Sequence, residues 1–120
     1  MDARLYASRL GGTAAVPPSK SAAHRAVLCA ALADGVSHIS NIAYSQDIRA
    51  TLQAAAQLGA RIEEAPDAVT ITGRGNASGF ITVTRPVFCN ESGSTLRFMI
   101  PLFSLTAQKV RFTGAGRLFD

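Results

Sequence analysis

The stretch PPSKSAAHRAVLCAALADG, from Pro17 to Gly35, contains the signals that predict the first helix of this chain. The two prolines stop any preceding strand, and Ser19 can cap a helix because its hydroxyl accepts from a free backbone N–H. Good helix formers continue to Ala33, and Gly35 follows where helices often end in a left-handed residue. We therefore predict a helix that starts at Ser19 and ends by Ala33.

The start of this helix carries polar groups that a purely structural helix does not need. The first N–H groups of a helix lack intrahelical acceptors, and the macrodipole adds partial positive charge, so a helix start readily binds anions. Lys20 and Ser21 add donors there, and Arg25 follows about one turn later on roughly the same face. A plain interpretation stays open, in which Ser19 only caps the helix, Lys20 is a solvated charge and Arg25 pairs with a carboxylate.

Strand and helix patterns alternate along the rest of the chain, which predicts an α/β or α+β fold. A second helix is predicted from Ser45 to Gly59, with Asp47 in its first turn, where the dipole favours an anion. Its apolar stripe consists of Ile48, Leu52, Ala55 and Leu58. The segment NESGSTLRF (90–98) leads into a third helix, which ends near Leu105. Short strands are predicted at 5–10, 13–16, 36–42, 60–64, 69–72, 80–85 and 110–113.

The starts of the first and third helices resemble each other. When Arg25 is aligned with Arg97, Ser21 falls on Gly93, and both copies contain a strand, a loop, a helix start, an arginine, an apolar helix and a strand. Gly93 lets a ligand approach the backbone closely because it has no Cβ. Two such helix starts can face one ligand. The second copy ends at Asp120 without a second helix, so the chain is expected to be a fragment.

Composition favours a globular domain that binds a small anion rather than a nucleic acid. Of 120 residues, 48% are apolar, and 12 Lys+Arg against 8 Asp+Glu give a formal charge of +4. The arginines are spread singly from Arg4 to Arg117, with few aromatic residues among them, so the basic patch of a nucleic-acid surface is missing. We therefore expect no nucleic-acid partner.

Cys29, Cys89 and His24 belong to no motif that indicates metal binding or catalysis. Neither cysteine has a CxxC partner or a nearby histidine ligand, so both are interpreted as buried, reduced thiols and zinc is disfavoured. His24 is interpreted as structural, and GRGNASG (73–79) as a hairpin loop because a strand follows it instead of a helix. The sequence has no secretory leader pattern and no apolar stretch as long as a membrane span, so we expect a cytoplasmic location without membrane association.

Several spaced motifs together resemble the amino-terminal part of the 5-enolpyruvylshikimate-3-phosphate synthase family. The match extends over nearly the whole chain. The motifs are Ser19-Lys20-Ser21 with Arg25, Ala30–Gly35, Ser45–Ile48, Leu58–Ala60, NESGSTLRF at 90–98, and Thr113-Gly114 with Arg117-Leu118. Asn90-Glu91 departs from the Gly-Asn of many members, which indicates a differently shaped loop.

The resemblance implies transfer of the enolpyruvyl group of phosphoenolpyruvate to the 5-hydroxyl of shikimate 3-phosphate, with release of phosphate and without a metal or cofactor. By position, Lys20 matches the lysine where both substrates meet, and Ser21 and Arg25 match residues that hold shikimate 3-phosphate. Gly93 matches the glycine of the phosphoenolpyruvate pocket, where glyphosate competes. The family places its acid and base residues later, so no catalytic residue is expected in this segment. The full-length enzyme is expected to be monomeric.

The resemblance also divides the chain into domains. The family fold has repeated βαβαββ units in two domains, so residues 1–12 are expected to belong to the other domain and 13–120 to an incomplete one. The first repeat would span about 13–79, and 80–120 would start the second. The segment alone is expected to be inactive. Two alternatives stay open: a relative of UDP-N-acetylglucosamine enolpyruvyl transferase, which has asparagine where Ser21 stands, and a stand-alone α/β module for small anions.

Overall fold

The computed structural model describes residues 2–4, 6–7, 9, 11–75, 82–106 and 108–119. Within these residues, helices and strands alternate as the sequence predicts. The helices are α1 (Lys20–Leu32), α2 (Gln46–Gln57) and α3 (Gly93–Ser104). The strands are β1 (Val36–Ser40), β2 (Arg61–Glu64), β3 (Ala68–Thr72), β4 (Val87–Phe88) and β5 (Phe112–Thr113).

The first half of the chain forms a three-stranded sheet with two helices on it. The strand order is β1-β3-β2, and β3 is antiparallel to both neighbours, so β1 and β2 run in the same direction with α2 connecting them. This arrangement is a split β-α-β unit. Helices α1 and α2 pack against each other and on the sheet. The predicted apolar stripe of α2 is confirmed, because Ile48, Leu52, Ala55 and Leu58 are all buried.

The second half forms a β4–α3–β5 unit, in which the two strands pair in parallel. Its core is separate from the first and includes Met99 and Phe103 of α3, with the Phe103 ring edge-on to Phe112 at a centroid distance of 5.8 Å. Leu28 of α1 and Leu58 after α2 belong to this second core, whereas other residues of the same two helices belong to the first. Helices α1 and α2 therefore contribute to both cores.

Three of the predicted strands are absent where the structure describes the chain. Residues 13–16 are exposed and not in a strand, and no strand of the described residues lies beside them to satisfy their backbone groups. Of the strand predicted at 80–85, residues 80 and 81 lie outside the described residues, and 82–85 are not in a strand. Of that predicted at 5–10, Leu5, Ser8 and Leu10 lie outside, and the others are not in a strand. Most of the 73–79 loop also lies outside.

The alignment of the two helix starts needs a correction of one residue. Ser19 caps α1 and Ser92 caps α3, so Gly93 takes the position of Lys20, and Ser94 takes that of Ser21. The sequence alignment used the arginines instead, which placed Gly93 opposite Ser21. The caps are the better guide because they fix where the free N–H groups begin.

The prediction of two buried thiols is right for Cys89 and wrong for Cys29. Cys29 lies on the exposed side of α1 with Arg25 and Leu32, which are four residues before and three after it on the same helix face. Burial raises the pKa of the Cys89 thiol, which keeps it protonated and apolar in the second core. Among the described residues, no helix combines the length and the hydropathy that a membrane span requires.

Candidate functional site

The start of α1 presents a lysine and free backbone donors at the surface. Ser19 has an extended backbone, and its Oγ accepts a hydrogen bond from the N–H of Ala22 at 3.3 Å. The N-cap prediction is therefore confirmed. Lys20 and Ser21 are the first helical residues and both are exposed. Helix geometry gives their N–H groups no intrahelical acceptor, so these groups point outward from the helix start.

Lys20 is held at the start of α2 by an ion pair. Its Nζ lies 2.7 Å from Oδ2 of Asp47, in the first turn of α2, where the helix dipole also favours a carboxylate. The two side chains are 56% and 25% exposed, so the pair is solvated and contributes about 1 kcal/mol or less to stability. An ammonium group has three donors, and the carboxylate engages one of them. Lys20 can therefore bind an anion while Asp47 holds it in place.

Arg25 lies on the same face of α1 as Ser21. Its Nη1 donates to the Ser21 carbonyl at 3.1 Å, four residues earlier, so the guanidinium folds back toward the helix start. A guanidinium has five N–H donors, which leaves others to bind an oxyanion in a planar, bidentate way. The structure thus brings together Lys20, Ser21 and Arg25 on one exposed helix end.

The start of α3 is built differently. Ser92 caps it and its Oγ accepts from the N–H of Thr95 at 3.1 Å. A Cβ placed on Gly93 would have nothing within 4 Å, so this helix start borders open space. The glycine is therefore not required by contacts within the described protein. Its small size leaves room for a ligand next to the first N–H groups of α3.

Four buried polar side chains connect the three helix starts. His24 Nδ1 lies 2.8 Å from Thr51 Oγ1, Thr51 Oγ1 lies 2.7 Å from Thr95 Oγ1, and Thr95 Oγ1 donates to Ser92 Oγ at 2.7 Å. The carbonyl oxygen of Asp47 also lies within hydrogen-bond distance of both threonines, 3.2 Å from Thr51 Oγ1 and 3.4 Å from Thr95 Oγ1. Asp47 therefore contacts α1 through its side chain and α3 through its carbonyl, which places the three helix starts side by side.

The loop before Gly93 is held by the two residues that depart from the family pattern. Asn90 has a left-handed backbone (φ 53°), and its Nδ2 donates to Oε1 of Gln46 at 3.1 Å. Glu91 Oε1 accepts from the N–H of Arg117 at 3.1 Å. The loop is therefore tied to the start of α2 and to the turn after β5, which gives both departures a structural role.

A larger cavity than the one at the helix starts lies elsewhere in the described part of the protein. A space of about 640 Å³ lies between α2 and residues 82–86, whereas the cavity beside Ser19, Lys20 and Ser45 measures only about 50 Å³. We place the candidate site at the helix starts nonetheless, because the cations and the free N–H groups converge there. An exposed helix end binds an anion through charge and does not need a deep cavity on its own side.

A sequence model of the family described as EPSP synthase (3-phosphoshikimate 1-carboxyvinyltransferase) matches residues 6–119. The chain belongs to the EPSP synthase family. It is 45% identical over 119 residues to the 3-phosphoshikimate 1-carboxyvinyltransferase of Clostridium beijerinckii, which covers 96% of this chain and 27% of the relative. It is 44% identical over 122 residues to that of Clostridioides difficile, with 96% and 28% covered.

The fold is also that of EPSP synthase. The structure of EPSP synthase from Acinetobacter baumannii matches 88% of this chain and 24% of its own length, with a TM-score of 0.68 and 30% identity. The predicted family resemblance and α/β fold class are confirmed. The chain spans about a quarter of the length of the EPSP synthases that it matches.

The sequence pattern does not indicate every residue of this candidate site. It indicates Asp47 only as a favourable charge at a helix start, and it gives Thr51 and Thr95 no role. Both threonines are fully buried on helix faces that are otherwise apolar. A polar residue within an apolar stripe was the available signal, because buried hydroxyls need partners. His24 was interpreted as structural, which fits its burial and its bond to Thr51.

Proposed function

We propose that this chain forms the amino-terminal part of an enzyme that transfers the enolpyruvyl group of phosphoenolpyruvate to the 5-hydroxyl of shikimate 3-phosphate. In that reaction the hydroxyl oxygen forms a bond to C2 of phosphoenolpyruvate, the C2–O bond to phosphate breaks, and the hydroxyl proton is released with inorganic phosphate. The observation that carries the proposal is the meeting of three helix starts at Asp47, with Lys20 at its carboxylate.

The chemistry of the substrates fits these groups. Together the two substrates carry two phosphates and two carboxylates, so their site needs several cations and N–H donors. We assign Ser21 and Arg25 to shikimate 3-phosphate, Gly93 to phosphoenolpyruvate, and Lys20 to the point between them. Lys20 then offers donors to both anions, and the start of α3 offers backbone N–H groups to the second. Asp47 restrains the lysine between the two.

The remaining parts of the enzyme are assigned to chain beyond this segment. We assign residues 1–12 to the other domain, 13–79 to a first repeat and 80–120 to the start of a second, and no acid or base to residues 1–120. The isolated segment then binds at most one face of each substrate and does not turn over. The full-length enzyme is proposed to be a cytoplasmic monomer.

The test is phosphate release by the full-length protein when both substrates are supplied. We expect release only with both, and a large loss in Lys20→Met. Lys109→Met is the matched control, since Lys109 is exposed and precedes β5. Parallel pairing of β4 and β5 puts it at the edge of that sheet opposite the start of α3. Substrate binding without phosphate release by the full-length protein would favour a binding module instead.

A further inference from the structure

The buried side chains His24, Thr51, Thr95 and Ser92 form one continuous hydrogen-bonded chain. They are the buried polar residues of the described part of the protein, each with an exposed fraction of 2% or less. Burying a hydroxyl or an imidazole is unfavourable unless it is hydrogen-bonded, so such groups usually have a specific role. Here they cross from α1 through α2 to α3, immediately behind the surface that carries Lys20 and Gly93.

The shortest contacts favour one direction of this hydrogen-bonded chain. Thr95 has one hydroxyl proton, and Ser92 Oγ at 2.7 Å is a better acceptor for it than the Asp47 carbonyl at 3.4 Å. If Thr95 donates to Ser92, two acceptors would face each other across the 2.7 Å contact between Thr51 and Thr95 unless Thr51 is the donor, so this direction assigns the donor role to Thr51. With its proton used, Thr51 can only accept at the 2.8 Å contact, so His24 donates from Nδ1. This direction assigns the neutral tautomer with its proton on Nδ1 to the imidazole.

The other ring nitrogen of His24 is consistent with that tautomer. Nε2 is buried and has no hydrogen-bond partner among the described residues. Burying the Nε2 lone pair without a partner costs less free energy than burying a charged Nε2–H without a partner. Burial therefore disfavours a second proton on the ring. Burial has the largest effect and lowers the pKa of His24; of the nearby charges, Asp47 favours a second proton, whereas Lys20 and Arg25 disfavour it.

We propose that His24, Thr51 and Thr95 are positioning residues that fix the start of α3, and hence Gly93, relative to the start of α1 and Lys20. This inference rests on the proposed function. The geometric reason is that Ser92 is the last member of the hydrogen-bonded row of side chains and also caps α3. Its hydroxyl therefore sets where the free N–H groups of that helix begin. None of the three residues needs to touch a substrate.

The decisive variant is Thr51→Val, which keeps the shape of the side chain and removes the hydroxyl from the middle of the chain. In the full-length enzyme we expect the KM for phosphoenolpyruvate to rise about fivefold or more, with kcat within about twofold of the original value. Thr51→Ser retains the hydroxyl and should restore the KM. The matched control is Thr70→Val, because Thr70 forms the exposed counterpart, a 3.1 Å bond to Nδ1 of His38.

A second measurement needs no variant. The ¹⁵N chemical shifts of the His24 ring report which nitrogen carries the proton, and the inferred chain requires Nδ1. A proton on Nε2 would overturn the inference even if Thr51→Val did not fold. An unchanged KM in a folded Thr51→Val would overturn it as well. If the unmodified full-length protein releases no phosphate, the proposed function fails, and the proton position still decides whether the chain has the inferred direction.

Discussion

The starts of α1 and α3 have the same type of N-cap, but the residue that follows the cap is a cation in one and a glycine in the other. Each begins after a serine whose hydroxyl accepts from the N–H three residues later. At α1 the next residue is Lys20, an exposed cation in a solvated ion pair, whereas at α3 it is Gly93, which borders open space. The Ser19 cap is exposed, and the Ser92 cap is buried within the chain of hydroxyls. The start of α1 therefore offers side-chain charge, whereas the start of α3 offers backbone donors with space beside them.

The charge of the α1 start is tested most strongly by Lys20→Met. We expect the affinity of the full-length enzyme for shikimate 3-phosphate to fall by about 1.5–3 kcal/mol, the range for hydrogen bonds to charged groups. Stability should change by no more than about 1 kcal/mol, because the Lys20–Asp47 pair is solvated. Titration calorimetry measures the first and urea unfolding the second. An affinity equal to that of Lys109→Met would show that the α1 start supplies no charge to the ligand.

Arg25→Ala removes the second cation of the α1 start. A loss toward the lower end of about 1.5–3 kcal/mol is expected for shikimate 3-phosphate, since the remaining lysine still binds the anion. The same calorimetry applies. Arg61→Ala is the control, because Arg61 is an exposed arginine that pairs with Glu63 at 2.8 Å on β2. Equal affinity of the two variants for shikimate 3-phosphate would show that Arg25 does not bind this substrate.

The open space at the α3 start is tested by Gly93→Ala. The added methyl group has room in the protein itself, so stability should stay within about 1 kcal/mol. It occupies the proposed space of phosphoenolpyruvate, and we expect the KM for that substrate to rise roughly tenfold, or about 1.4 kcal/mol, and glyphosate inhibition to weaken. Binding of shikimate 3-phosphate should be nearly unchanged. Unaltered kinetics for phosphoenolpyruvate would mean that Gly93 does not face the ligand.

The buried imidazole of His24 is expected to make the stability of the protein depend on pH. Burial lowers the pKa of His24 below its ordinary value of 6.5, and Lys20 and Arg25 act in the same direction, whereas Asp47 opposes them. The unfolded chain therefore binds a proton near pH 6.5 that the folded chain refuses, so stability falls as the pH drops below 6.5. For one group the slope is at most about 1.4 kcal/mol per pH unit.

Urea unfolding of the full-length protein at pH 7.5 and 5.5 measures this dependence. His24→Asn should reduce it, and His38→Asn should not, because His38 is exposed and bonds to Thr70 at the surface. An equal effect of the two substitutions would show that the pH dependence does not arise from the buried ring.

Local patterns were enough to predict the helices and two of their three caps. Ser19 and Ser45 each cap a helix as the sequence predicts, because capping depends on residues three positions apart. Ser92 caps α3 within the segment that is predicted to lead into a helix, but the sequence analysis does not name it as the cap. The strand predicted at 13–16 was wrong, and so was the described part, 82–85, of the strand predicted at 80–85, since a strand exists only where a neighbour satisfies its backbone. Cys29 was placed inside because its neighbours are apolar, although its helix face is exposed.

The convergence of the site could not be predicted in the same way. The contacts of Asp47 with Lys20 and Thr95 join residues that are 27 and 48 positions apart in the sequence, and they depend on how three helices pack. The family resemblance named Lys20, Ser21, Arg25 and Gly93, but neither it nor the local pattern indicated Thr51. Tertiary packing decides which buried polar groups find each other.

In the proposed function, the starts of α1 and α3 bind one ligand together. A double-mutant cycle with Lys20→Met and Gly93→Ala tests this joint binding, and the quantity measured is the affinity of the full-length enzyme for phosphoenolpyruvate. Because both sites contact the same molecule, we predict that the effects of the two substitutions are not additive, with a coupling of at least about 0.5 kcal/mol. Effects that add within about 0.3 kcal/mol would contradict the claim, since they would mean that the two helix starts act on phosphoenolpyruvate independently.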